Sequence, residues 1–147
     1  MYETSITLLA RHRTEWEALA QNLDEGVVVS NEENLALVRR FNQVFKNEDD
    51  LSVLDEILAP DFVAHNADQD IHGPDGWRRF VLEGRERGGE IDTGTDELIA
   101  DGDLVAERWW IRGGGDGPGG FRGHGITMHR ISNGKLQENW GTFHADE

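Results

Sequence analysis

Ser132-Asn133-Gly134-Lys135, followed by Leu136-Gln137-Glu138-Asn139-Trp140-Gly141-Thr142-Phe143-His144, decides how this chain is read. Asn-Gly between two β-forming runs is the strongest short hairpin signal, because a type I′ turn needs positive φ at both central residues. It predicts that Phe121–Ile131 and Leu136–His144 pair antiparallel. Upstream, Asp101-Gly102 stands between Glu90–Ala100 and Leu104–Arg112 in the same way, and the glycine-rich run Gly113–Gly120 links the two hairpins as a flexible connection.

Before these strands the pattern is helical. Ser30 and Glu33 form a capping box, with Leu37, Val38, Phe41, Val44 and Phe45 on one face of the helix behind it. A short helix carrying Leu51, Leu54, Ile57 and Leu58 ends at Pro60, and Phe62–His65 follows as a short strand. Gly73-Pro74 opens a third helix that buries Trp77, Phe80 and Val81. Still earlier, Ile6, Leu9, Arg13, Trp16, Ala20 and Leu23 recur at steps of three and four, which predicts an extra helix with a stripe that must pack on the sheet or across a dimer interface. Helices followed by an antiparallel meander make an α+β domain, with the helices covering one face of a bent sheet.

The chain has 147 residues, the size of one domain with a real core. Its formal net charge is −15, which argues against nucleic acid and against an anionic membrane surface, since both recruit clustered Lys and Arg. No apolar run is long enough to span a bilayer, and Met1-Tyr2-Glu3-Thr4 lacks a signal peptide's basic start and apolar stretch. The expected compartment is therefore cytoplasmic. Absence of cysteine excludes disulfides and thiolate metal sites. Lysine occurs only at Lys46 and Lys135, and surplus carboxylates with few lysines suit either a salt-rich cytoplasm or an acidic mesophilic surface.

Taken together, the helix Asn34–Phe41, the stretch Leu54–Asn66, His72-Gly73-Pro74-Asp75-Gly76-Trp77, Ala100–Ala106 and the last strand resemble the SnoaL-like polyketide cyclase and ester cyclase family. The resemblance runs from Asn31 to His144. It implies an NTF2-like cone of N-terminal helices packed on a strongly curved antiparallel sheet, with residues 1–30 an extra helix and connection and residues 31–147 the SnoaL-like domain. It further implies a cofactor-free, metal-free protein for a small hydrophobic molecule, commonly paired as a homodimer through the outer sheet face. Four residues after the tryptophan of the last strand the family usually carries an acid/base aspartate. In this chain that position is His144.

Residues two apart in a strand share a face, so Glu138, Trp140, Thr142 and His144 are expected to line the interior together, with Asp146 next. His144, helped by Asp146, is the candidate general base, since histidine titrates near neutrality. His65, at the end of its Phe-Val-Ala-His stretch, and His129, in the penultimate strand, are candidates to position a substrate carbonyl oxygen. Trp110, Trp140 and Thr142 complete the expected binding surface, with tryptophan faces available to a flat ligand. His65, His129, His144 and Asp146 would also suit zinc, but no tight spacing supports a metal. The leading expectation is a cyclase, isomerase or hydrolase acting on a hydrophobic carbonyl compound. The alternative is a non-catalytic ligand-binding or dimerisation protein on the same fold.

Overall fold

Each helix buries the face its spacing predicts. The computed structural model describes residues 30–46, 50–115 and 118–147, and the expected extra N-terminal helix lies outside them. Helix α1 covers residues 30–43 and buries Val38, Phe41 and, just past its end, Val44. Ser30, the first described residue, is helical. The carbonyl of Val44, orphaned at the helix end, accepts a 2.7 Å hydrogen bond from Arg85 Nη2. Helix α2 (Val53–Ile57) buries Leu54 and Ile57. Helix α3 (Gly73–Gly88) has proline in its first turn, buries Trp77 and Val81, and ends on Gly89 at φ 63°, whose amide returns to the Arg85 carbonyl.

Six strands follow the order β2-β1-β6-β5-β4-β3 in one curved sheet. They are β1 (Leu58–His65), β2 (Asp70–His72), β3 (Ile91–Asp101), β4 (Leu104–Gly113), β5 (Phe121–Ser132) and β6 (Lys135–Ala145). The predicted hairpins form, and Asn133 (φ 52°) and Gly134 (φ 73°) both adopt the positive φ of the type I′ turn. Three details differ from the sequence reading. The first strand begins at Leu58, and Pro60 is tolerated because it falls in the gap between paired residues Leu58 and Val63. A short strand, Asp70–His72, precedes the third helix, where the sequence reading has none. Finally, β1 joins β6 in parallel within an otherwise antiparallel sheet. The long chain between them, with α3 and the meander, leaves room for that crossover.

The core fills the space between the helices and the inner sheet face. Phe62, Leu54, Ile57, Leu58, Leu136 and Val105 are fully enclosed, and Phe41 lies 4.9 Å from Trp77 between ring centroids. Along β5 the alternation is strict: Gly123, Gly125, Thr127, His129 and Ile131 point inward, while His124, Ile126, Met128 and Arg130 point outward. No described helix is long and apolar enough to cross a membrane.

Candidate functional site

A polar group occupies the inner face where a purely apolar core would otherwise continue. Glu107 on β4 and His129 on β5 are 2% and 1% exposed, with His129 Nε2 3.0 Å from Glu107 Oε2. The other carboxylate oxygen, Oε1, accepts the Thr95 hydroxyl at 2.7 Å and an N–H of the Asn42 side chain. Asn42 Nδ2 also donates to Thr95 Oγ1 at 3.0 Å. A buried carboxylate is tolerable only when its lone pairs are met, and here α1, β3 and β5 each supply a partner. His129 Nδ1 is the exception: it is buried and has no hydrogen-bond partner. The Phe41 ring stands edge-on to the imidazole with centroids 5.8 Å apart.

Moving along the sheet from this group, each inward position is two residues, about 7 Å, further on. Next to Glu107 and Thr127 come Trp109 and Gly125, paired across β4 and β5. Trp109 Nε1 donates to Thr127 Oγ1 at 2.8 Å, and its ring stacks with Phe143 at 6.2 Å and 16°. A side chain at Gly125 would collide with the Trp109 ring, and one at Gly123 with Phe143, so the glycines let both rings lie flat on the strand. Phe143 points inward yet is 53% exposed. The inner face thus grades from a closed apolar core, through a polar floor, to an aromatic rim.

Of the residues nominated from sequence, only His129 joins this interior. Glu138, Trp140, Thr142 and His144 stand on the outer face, which corrects the expectation that they line the cone. The cause is a bulge: Ile131 pairs with Leu136 but Arg130 pairs with Glu138, so Gln137 is the extra residue. Leu136 is buried inward, and after one unpaired residue the inward set becomes Asn139, Gly141 and Phe143. His144 is exposed, 5.7 Å from the His124 ring, and Asp146 pairs with His124 Nδ1 at 2.7 Å. Thr142 exchanges hydrogen bonds with the Ile126 backbone on the outer side. Trp110 also faces outward, across from Gly94, with the Arg112 guanidinium 5.4 Å from its ring.

His65 is likewise external, because Val63 and His65 run beside Glu138 and Trp140 in the parallel ladder. Its Nε2 lies 2.7 Å from Glu138 Oε1 and its Nδ1 2.9 Å from Asp70 Oδ1, while the ring stacks on Trp140. Glu138, and then Asp70, favour the charged imidazolium and raise the His65 pKa above its ordinary value. Among the described residues no three His, Asp or Glu side chains gather into a group able to hold a metal.

Glu107, Asn42 and Thr95 escaped nomination, although a signal exists. Glu107 interrupts the inward series Val105, Trp109, Ile111 of β4, and Asn42 follows Phe41 at a core-facing step from Val38. A carboxylate and an amide in such positions must find each other or another partner.

A model of the SnoaL-like domain matches residues 38–139. Among solved structures, a candidate SnoaL-like polyketide cyclase from Jannaschia sp. CCS1 superposes with a TM-score of 0.66 at 19% identity, covering 80% of this chain and 88% of that one. The candidate polyketide cyclase IdmH of Streptomyces antibioticus gives 0.64 at 23% identity, covering 75% and 91%. An LEH-like epoxide hydrolase of M. tuberculosis gives 0.65 at 18%, covering 78% and 84%. At these identities the likeness speaks for the fold. No curated protein matches the sequence.

Proposed function

The chain belongs to the SnoaL-like domain family, and from that premise we propose that it is a cofactor-free enzyme of the cyclase, isomerase or hydrolase type. It acts by acid/base catalysis on a hydrophobic carbonyl compound held inside the cone. One observation carries this reading: an ionisable Glu107–His129 pair is buried beneath an aromatic rim. Buried ionisable pairs cost stability relative to apolar packing, so a functional use is the economical explanation. The neighbouring structures bear names of different reactions, cyclase and epoxide hydrolase among them, which supports a carbonyl or ether-ring substrate class without choosing one.

The test is proton exchange in deuterated buffer, followed by NMR with 2-tetralone, a flat hydrophobic ketone. Binding with accelerated loss of the hydrogens beside the carbonyl supports an enzyme. Binding with exchange no faster than buffer favours the non-catalytic ligand-binding alternative.

Homodimer formation belongs to the same reading. The outer face exposes Ile99, Ile126, Met128 and Trp140, an apolar surface suited to symmetric pairing. Sedimentation in high salt should give about twice the chain mass, and a clean monomer there would end this part of the proposal.

A further inference from the structure

The hydrogen bonds around Glu107 fix more than its position. Its Oε1 is taken by two donors, the Asn42 amide and the Thr95 hydroxyl, so Oε2 is the oxygen that faces His129. A carboxylate only accepts, so His129 Nε2 must carry the hydrogen of that 3.0 Å contact. In a neutral ring the lone pair is then on Nδ1, the atom that is buried and unpartnered. We propose that His129 Nδ1 is the proton acceptor for a carbon acid beside a ketone, and that Glu107 is the positioning residue that holds the ring in its Nε2–H form. This rests on the enzymatic reading above and moves the general base from His144 to the cone interior.

The step balances without a co-reactant. Nδ1 takes a proton from a carbon next to the carbonyl; the C–H bond breaks and its electron pair becomes the enolate. The imidazolium that results stands against the Glu107 carboxylate, which stays ionised. In a cyclisation the enolate carbon bonds to a second carbonyl of the same molecule, and the new alkoxide takes the proton back from Nδ1. In an isomerisation the proton returns to a different carbon. Either way the histidine is restored.

Substrate shape follows from what lies beside the pair. The stacked Trp109 and Phe143 rings, spread over Gly125 and Gly123, offer a flat apolar surface one inward position beyond Glu107. A planar, fused-ring ketone would stack there while reaching the polar floor.

Long-range proton–nitrogen NMR of the histidine-labelled protein reads the tautomer directly. The expected spectrum has His129 as Nε2–H with an unprotonated Nδ1; an Nδ1–H ring would overturn the proposal. Glu107→Gln sharpens it. Asn42 and Thr95 would hold the new amide's oxygen and turn its NH2 toward His129 Nε2, forcing the ring to Nδ1–H. That variant should therefore show the switched tautomer and lose 2-tetralone exchange by about 100-fold or more, with affinity followed by tryptophan fluorescence kept within a few-fold. His129→Gln should lose exchange to the same extent. Exchange at the wild-type rate in folded His129→Gln overturns the assignment while leaving the enzymatic reading intact. No exchange by the wild-type protein overturns both.

Discussion

Two histidine–carboxylate pairs stand on opposite faces of one sheet, and they differ in what is left free. On the inner face His129 meets a single carboxylate and keeps Nδ1 unpartnered, sealed from water. On the outer face His65 spends both ring nitrogens, on Asp70 and Glu138, with its side chain 32% exposed. The outer ring is a clamp for a cation: it ties β1 to β2 and β6 and has no lone pair to offer when charged. The inner ring is held at one end only. Partner count, more than the presence of histidine and carboxylate, separates a structural pair from a chemically available one.

The comparison depends on which pair is sealed from water, so the strongest way to break it is to remove the buried carboxylate.

Glu107→Ala strands Asn42, Thr95 and His129 in the interior. Urea unfolding should show a loss of about 3–5 kcal/mol. Glu138→Ala on the outer face should move the midpoint far less, because water replaces the lost partner. Equal losses in the two variants would erase the distinction between the faces.

Gly125→Ala tests the rim. Its new methyl would meet the Trp109 ring and the Thr142 carbonyl, and the expected cost is about 1–3 kcal/mol with weakened 2-tetralone binding. Unchanged affinity would remove Trp109 from the binding surface.

The smallest effect is a pH dependence. The His65 pKa is raised in the folded protein, first by Glu138 and then by Asp70. Its contribution to stability is therefore full below the unfolded histidine value of about 6.5 and fades as pH rises through the folded value. His65→Gln should flatten that part of the stability–pH curve, while Glu138→Gln should bring the His65 titration, followed by NMR, back toward normal. A His65 titration at or below the ordinary value would contradict the clamp.

The helices, both hairpins and the inward place of His129 were legible in the sequence, because each rests on local rules. Period and capping fix helices within a few residues, and Asn133-Gly134 can hardly do anything but turn. In the structure the inward alternation of β5 runs unbroken from Gly123 to Ile131. The failure lay one strand later. Gln137 carries no mark of a bulge, and a single unpaired residue moved Trp140, Thr142 and His144 from the expected interior to the outside.

By itself the sequence determined the α+β class, the order of elements and the stock of ionisable groups available to a site. Only the tertiary structure decided which of those groups share an enclosed space. Asn42, Thr95, Glu107 and His129 come from α1, β3, β4 and β5, and no local spacing relates them. Strand register, set by packing across the whole sheet, brings them together. Because the side-chain period is two, one residue of register separates a buried histidine from a solvated surface one.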